Sequence, residues 1–166
     1  MPFEPERILA VLERHGVRYV VIGGFGAWLH GAAHVTFDID VTPERSRDNL
    51  DRLSTALDDL AARIRTDAVE GGLSFSHSGE SLGHARVWNL TTDYGDLDLA
   101  FEPAGTNGYS DLVDDALQVE ILGVSTVIAS LRDIVRSKEA ADRPKDRLAL
   151  PTLRRLLEAQ EDDLRD

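Results

Sequence analysis

A glycine pair between two strand-like segments restricts the fold more than any other feature of the sequence. Residues 18–22 form an apolar run rich in β-branched side chains that stops at Gly23-Gly24, and a short helical segment follows over 25–30. Residues 36–42 then alternate polar and apolar side chains. Alternation with a period of two is typical of a half-buried strand. The order therefore predicts a strand, a glycine turn, a short helix and a second strand.

Helical and strand-like segments also alternate along the rest of the chain. Helical spacing predicts helices over 5–15, 43–64, 130–141 and 152–164, strands are predicted over 73–77, 85–91 and 96–101, and two short apolar runs occupy 119–122 and 124–128. This alternation is typical of the α/β (α+β) class, with a helical C-terminal part from about residue 130 to 166. The length of 166 residues predicts a single domain, 1–166.

The composition excludes several classes of protein. Cysteine is absent, so neither a disulfide framework nor a thiolate metal site can form, and a reducing cytoplasm is the expected location. No apolar run approaches the ~20 residues of a membrane span, so we expect no membrane partner. The net charge of −12 opposes broad attraction to nucleic acid. The basic stretch 132–155 is then either a local binding patch or a solvated helical face.

Two aspartates one residue apart lie on the predicted second strand. Side chains two apart on a strand point the same way, so Asp38 and Asp40 share one face. Phe37, Ile39 and Val41 would then face the core. Two close carboxylates repel each other unless a cation lies between them, and Mg²⁺ suits oxygen ligands. The pair predicts a metal site, although the same pattern also occurs on solvated strand faces.

A second pair, Asp96 and Asp98, has the same spacing. Leu97, Leu99 and Phe101 would face the core, which places both acids on the opposite side of their strand. If this strand neighbours the first, a third carboxylate joins the site. Three carboxylates can hold two cations ~3.5–4 Å apart, the geometry that stabilises phosphoryl or nucleotidyl transfer. The alternative for Asp96 is a place in the turn that precedes the strand.

The glycine pair has a structural and a functional interpretation. Gly23 and Gly24 could form only a tight turn between strand and helix. Alternatively, they allow backbone N–H groups at the start of the helix to approach an anionic phosphate, which the helix dipole also favours.

These segments, Gly23-Gly24, a short helix that ends at His30-Gly31, and Thr36–Val41, resemble the nucleotidyltransferase superfamily of the DNA polymerase beta type. The resemblance implies a mixed β-sheet core flanked by helices and transfer of a nucleoside monophosphate from a nucleoside triphosphate. It implies Mg²⁺, with two ions and Mn²⁺ as an alternative, held by Asp38, Asp40 and Asp98, with Asp96 as the alternate third ligand. It also implies that the glycine turn, Gly23, Gly24 and Phe25, binds the triphosphate.

The C-terminal run 134–146 is similar to a later motif of the AbiEii-type branch of that superfamily, which includes toxins of toxin–antitoxin systems. The resemblance implies that Lys138 contacts the nucleotide phosphates and that Asp146, in the trailing Arg-x-x-Asp, shapes the site. It also implies an antitoxin as a candidate partner. The acceptor stays open between a tRNA end, a protein hydroxyl and a small molecule of the aminoglycoside or lincosamide kind.

Two departures from the family pattern keep other functions open. Phe25 stands where many members have serine, and His34 stands where relatives tend to carry arginine. One alternative is therefore a catalytically degenerate member that only binds a nucleotide or a partner. A second alternative comes from a different pattern, since residues 38–42 also resemble the Asp-x-Asp-x-Thr motif of haloacid dehalogenase-like phosphatases, in which Asp38 would be the nucleophile and Asp40 the acid/base. His30 is expected to be a helix-end residue rather than a base.

Overall fold

A seven-stranded mixed sheet forms the centre of the computed structural model, which describes residues 2–166. Its strands are β1 (Tyr19–Ile22), β2 (Asp38–Pro43), β3 (Arg63–Ile64), β4 (Val87–Thr92), β5 (Gly95–Ala100), β6 (Leu117–Ile121) and β7 (Val124–Ile128). Their order is β3-β4-β5-β2-β1-β7-β6. The pairs β2–β5 and β1–β7 are parallel, and the other neighbours are antiparallel.

Seven α-helices surround this sheet. They are α1 (Pro5–Arg14), α2 (Gly23–Leu29), α3 (Arg47–Asp59), α4 (Gly79–Leu82), α5 (Tyr109–Leu112), α6 (Leu131–Ala141) and α7 (Pro144–Asp163), with a 3-10 turn at Val113–Asp115. The predicted α/β class with a helical C-terminal part is therefore confirmed. Within the described residues, no helix combines the length and the apolar character that crossing a bilayer requires.

The two faces of the sheet bury different clusters of side chains. Helices α1 and α3 cover one face, where Ile39, Val41, Leu97 and Leu99 are fully buried. Helices α6 and α7 pack near β1 on the other face, around Val20 and the apolar residues of both helices. Because side chains alternate along a strand, the residues between the buried ones of β2 and β5 point toward the α6–α7 side. That side carries the aspartates.

Several predicted boundaries differ from the structure. The predicted helix 43–64 is shorter: Pro43 ends β2, and α3 begins after Ser46, whose hydroxyl accepts a hydrogen bond from the Asn49 N–H. The helix ends before Ala61, whose φ of 51° lies in the left-handed region. Phe37 is wrong as a core residue, because it precedes β2 and is 72% exposed.

Two further predictions of secondary structure are also wrong. The predicted strand 73–77 is irregular chain in which Leu73 forms a single bridge with Ile64. The last helix begins at Pro144 rather than at 152, and Pro151 lies inside it. The Asp146 carboxylate accepts a hydrogen bond from the Arg143 N–H at 3.1 Å, which caps the helix early. Leu150 and Leu153 are buried on either side of Pro151, which offsets the hydrogen bond that proline removes.

The fully buried Asn49 ties α3 to the residue before β1 and to the residue after β2. Its Oδ1 accepts from the Arg18 N–H at 2.7 Å, and its Nδ2 donates to the carbonyls of Arg18 and Glu44 at 2.9 and 2.8 Å. Asn49→Ala should lower the free energy of unfolding by about 1–3 kcal/mol, because three part-buried backbone groups each lose a hydrogen bond. Urea denaturation measures this, with the exposed Thr55→Ala in the same helix as control. An equal effect of the two changes would contradict the role of Asn49.

Candidate active site

Three carboxylates from two neighbouring strands meet on the α6–α7 side of the sheet. Strand β2 runs parallel to β5 in a register that places Asp40 opposite Asp98 and Asp38 opposite Asp96. Asp38, Asp40 and Asp98 each present a carboxylate oxygen, and these three oxygens lie within 4.8 Å of one another. The predicted triad is therefore brought together, with Asp98 rather than Asp96 as its third member. Three hard oxygen donors at this spacing fit a divalent cation such as Mg²⁺.

Burial and mutual repulsion disfavour the negative charges of this triad, and the nearby basic side chains compensate them only in part. Burial raises the pKa of Asp40 to about 7, and the charges of Asp38 and Asp98 add to the rise, while Lys145 and Lys138 oppose it. Burial also raises the pKa of Asp98, against the opposite effect of the Arg65 guanidinium. A bound cation would relieve the repulsion that raises both pKa values. The electrostatics of the triad therefore fit a metal site.

The glycine pair has a steric reason to be glycine. Gly23 has a φ of +68°, and a Cβ at this position would collide with the carboxylate of Asp40. A Cβ on Gly24 would lie 2.6 Å from the Thr36 Cγ2. Only glycine allows the start of α2 to pass this close to β2. The turn therefore lies directly beside the carboxylates.

The side chain of Phe25 points away from this turn. It is 2% exposed and packs edge-on against Phe3, with ring centroids 6.1 Å apart. The phenyl ring therefore belongs to the core, and only the backbone of Phe25 is available to a ligand beside Gly23 and Gly24.

A cleft of about 550 Å³ connects the carboxylates with basic residues of the C-terminal helices. The chain has two lysines, Lys138 and Lys145, and both line the cleft together with Arg143, the glycine pair and the triad. The basic residues stand on α6, on α7 and in the link between them, and the carboxylates stand on the sheet. A ligand that carries both phosphate and a divalent cation would complement these two walls.

Asp146 does not line the cleft. It is fully buried, accepts a hydrogen bond from the Arg143 Nε at 2.7 Å and lies 3.6 Å from the Lys138 Nζ. It contacts two side chains that line the cleft, and its role in shaping the site stays a prediction. Most other basic residues of 132–155 pair with acids outside the cleft, as in Arg136–Asp111, Arg147–Asp142 and Arg154–Glu139. The sequence stretch is therefore mostly a balanced helical surface.

Arg65 is a residue of the site that sequence reasoning missed. Its NH2 donates to the Asp98 Oδ1 at 2.8 Å, and its NH1 donates to the Leu90 carbonyl at 3.1 Å and lies 3.4 Å from Asp96. The chain reaches Arg65 33 residues before Asp98, and only the order β3-β4-β5 brings them together. No local pattern in the sequence could have indicated this contact.

The two histidines near the glycine turn lie outside the cleft lining. His30 ends α2, and its Nε2 lies 2.8 Å from the Ala129 carbonyl, as expected for a helix-end residue. His34 is exposed in the segment before β2.

Comparisons with known proteins give matches in structure but not in sequence. No protein-family model matches the chain, and no curated protein sequence matches it. The lincosamide antibiotic adenylyltransferase LnuA, solved with lincomycin bound, aligns with a TM-score of 0.61 at 17% identity over 93% of this chain and 98% of LnuA. The complex of ANT(2'')-Ia with adenylyl-2''-tobramycin aligns with a TM-score of 0.56 at 17% identity over 96% and 91%.

A third structure extends the same likeness. TM1012 of Thermotoga maritima, a provisionally assigned nucleotidyltransferase, aligns with a TM-score of 0.57 at 17% identity over 95% of this chain and 96% of its own. At this level of identity the comparison establishes the fold. The chain therefore has the mixed-sheet fold of nucleotidyltransferases along nearly its whole length.

The raised pKa of Asp40 predicts an unusual pH dependence of stability without metal. The unfolded chain ionises Asp40 near pH 4 and the folded chain near pH 7, so folding takes up a proton between these values. The free energy of unfolding should therefore fall as pH rises through this window. Asp40→Asn removes the part of the decline that Asp40 causes and should be more stable than wild type at pH 8 by roughly 2–4 kcal/mol.

Thermal unfolding followed by circular dichroism between pH 4 and 8, in EDTA, measures this difference. The advantage of the variant should shrink toward zero at pH 4. The exposed Asp48→Asn serves as control for the loss of one negative charge. A less stable Asp40→Asn protein at pH 8 would show that the charge of Asp40 is already compensated.

Proposed function

We propose that this chain acts as a single-domain, divalent-metal-dependent nucleotidyltransferase. It would move a nucleoside monophosphate from a nucleoside triphosphate to an acceptor hydroxyl or phosphate. The acceptor oxygen forms a bond to the α-phosphorus, the bond to the leaving pyrophosphate breaks, and the acceptor hydroxyl loses its proton. The observation that carries the proposal is the carboxylate triad beside the glycine turn, within a fold shared with nucleotidyltransferases.

The three carboxylates have distinct proposed roles. Asp38, Asp40 and Asp98 would hold Mg²⁺, as two ions, with Mn²⁺ as a substitute. Bound there, the metal would neutralise charge on the attacking and leaving oxygens. Asp98 would also accept the proton of the acceptor hydroxyl. Arg65 holds one oxygen of Asp98 and thereby orients the carboxylate toward the other two acids.

The glycine turn beside the carboxylates and the basic residues of α6 and α7 would together bind the triphosphate. The N–H groups at the start of α2, from Gly23, Gly24 and Phe25, can donate to phosphate oxygens, and the helix dipole favours the negative charge. Lys138 and Lys145 would neutralise the same group, and Asp146 would keep Lys138 and Arg143 oriented. Phosphate held between the two walls would present the α-phosphorus to in-line attack.

The structure favours transfer over the two alternatives. A degenerate member would be expected to lack part of the machinery, yet the triad, the glycine turn and both lysines adjoin one cleft. In a phosphatase of the haloacid dehalogenase kind, the nucleophile follows a buried parallel strand. Here Asp38 begins β2, and residues 31–35 before it form no strand.

Small molecules are the acceptor class that we place first. Two proteins of the same fold are a lincosamide adenylyltransferase and ANT(2'')-Ia, solved with adenylyl-2''-tobramycin. The net charge of −12 disfavours a tRNA end. A protein hydroxyl as acceptor, an AbiEii-type toxin role and an antitoxin partner stay predictions from the sequence. Because both relatives transfer or carry an adenylyl group, ATP is the first triphosphate to test.

Removing a single triad carboxylate should abolish transfer without unfolding the protein. Asp40→Asn and Asp98→Asn should each lower kcat by about 10²–10³ or more. Each variant removes a carboxylate that would bind the metal, and the charge of the metal stabilises the transition state. The assay follows α-³²P from labelled triphosphates to a panel of lincosamides, aminoglycosides, tRNA and protein. Asp93→Asn, an exposed acid in the turn before β5 that pairs with Arg63 at 3.2 Å, is the control.

The same variants separate the enzyme from a degenerate binding protein. Calorimetry should show ATP binding that requires Mg²⁺ in the wild type and is weakened in Asp40→Asn. Metal-dependent ATP binding without transfer to any member of the panel would favour a binding role. Unchanged turnover in Asp98→Asn would remove the assignment of that residue.

The chain has two lysines and both line the cleft, so chemical modification of lysine provides an independent test of phosphate binding there. Bound ATP·Mg²⁺ should protect Lys138 and Lys145 from acetic anhydride at least several-fold, since both line the cleft. Mass spectrometry of the digested protein measures acetylation at each lysine. Lys145 is exposed and gives the larger signal, whereas the Lys138 side chain is 15% exposed. Adenosine, which lacks phosphates, is the control, and equal protection by adenosine would contradict phosphate contact.

A further inference from the structure

A second cavity, of about 1180 Å³, lies at the starts of β2 and β5, and its walls are mainly apolar. Phe3 and neighbouring prolines, α2, the segment before β2 and the turn after β6 form it. We call it the apolar groove, and its large apolar lining residues include Phe3, Phe25, Trp28, Val35, Phe37 and Leu122. It shares no lining residue with the cleft that holds the carboxylate triad.

The apolar groove concentrates side chains that folding leaves in water. Ten large hydrophobic residues within 2–166 are markedly exposed, and four of them line this groove: Trp28, Val35, Phe37 and Leu122. Val35 and Phe37 are each 72% exposed. Single exposed apolar residues are common on folded proteins, but folding alone does not account for a contiguous cluster of them. Contiguous apolar surface of this kind typically marks a binding site.

The charges of the apolar groove have one sign. Its charged lining residues are Glu6, Asp96 and Glu120, and no basic side chain of the described chain lines it. Carboxylates attract cations, and the faces of aromatic rings such as Trp28 add a cation–π contribution. The groove therefore complements a molecule with an apolar body and a positive charge. It repels phosphate, so it is unsuited to a nucleotide or an RNA backbone.

The groove adjoins the carboxylate triad through two connections. Phe37, which lines the groove, directly precedes Asp38, the first residue of β2, and consecutive Cα atoms lie ~3.8 Å apart. Asp96 lies opposite Asp38 in the parallel register and shares the Arg65 guanidinium with Asp98. A molecule in the groove would thus lie beside the strand positions that carry the triad.

We propose that the apolar groove binds the acceptor, and that this acceptor is a small amphipathic cation with a free hydroxyl. The assignment of the occupant as acceptor rests on the proposed nucleotidyltransferase function. The hydroxyl would reach the triad past Phe37 and Asp96, while the triphosphate occupies the cleft on the other side of the glycine turn.

Tryptophan fluorescence tests the occupant directly, without nucleotide or metal. The chain has two tryptophans, and Trp88→Phe leaves Trp28 of the groove as the reporter. The probes are octyltrimethylammonium, octyl glucoside and octyl sulfate, each below its micelle concentration, which share a tail and differ in head-group charge. The cation should give saturable quenching, with at least tenfold weaker binding of octyl sulfate and intermediate binding of the neutral glucoside.

Variants of the groove localise the binding. Phe37→Ser and Glu120→Gln should each weaken binding of the cation at least threefold, with circular dichroism to check the fold. Leu148→Ser, at an 83% exposed position on α7 outside the groove, is the matched control and should bind as the parent does. Asp40→Asn should also bind the probe normally, although it should lose transfer.

Four results would overturn the proposal. The first two are absence of saturable quenching by the cation and binding of octyl sulfate that is as tight as or tighter than binding of the cation. The third is equal affinity of Phe37→Ser and the control Leu148→Ser for the cation. The fourth is a dimer, observed by sedimentation, that Phe37→Ser dissociates. The last result would show that a second copy of the chain occupies the groove. Because the probes need no triphosphate, probe binding without transfer would reject only the proposed reaction. Metal-dependent ATP binding without probe binding would reject only the acceptor site.

Discussion

The parallel pairing of β2 with β5 is the contact on which the candidate site depends. Its register places Asp40 opposite Asp98, while Ile39, Val41, Leu97 and Leu99 anchor the same strands in the core of the opposite face. A slip of one residue would turn the acids into the core and the apolar side chains toward the cleft. The hydrophobic core therefore fixes the position of the carboxylates, even though it contacts no ligand.

This arrangement stores an electrostatic cost in the folded chain. Three carboxylates lie within a few ångströms of one another, and burial raises the pKa of two of them, Asp40 and Asp98. Gly23 adds to the crowding, since its backbone passes where any side chain would collide with Asp40. A protein selected only for stability would place such groups apart. Their retention beside a cleft is typical of sites that use the unfavourable charge to bind a ligand.

The sequence predicted local features and failed where distant segments meet. The alternation around Asp38 and Asp98 placed both on the correct face, because strand geometry fixes that relation within a few residues. The predictions of Phe37 as a core residue and of a strand over 73–77 were wrong. Neither segment forms a strand of the sheet, and strand pairing depends on the whole fold rather than on local sequence. The contact of Arg65 with Asp98 could not be predicted for the same reason, because it forms only when β3, β4 and β5 pair as neighbours in the sheet. The early start of α7 depended on a side-chain cap by Asp146 that outweighed Pro151 as a boundary signal.

Each charged wall of the cleft is oriented by one counter-charge behind it. Arg65, which itself lines the cleft, bonds to Asp98, and the buried Asp146 bonds to Arg143 and lies near Lys138. Without these partners, Asp98 and Lys138 could pair with each other or with other charged groups of the cleft, because opposite charges attract strongly where water is scarce. Such pairing would occupy groups that a metal and a phosphate need. The two internal partners therefore keep these side chains available to a ligand, while Asp38, Asp40 and Lys145 form no ion pair among residues 2–166.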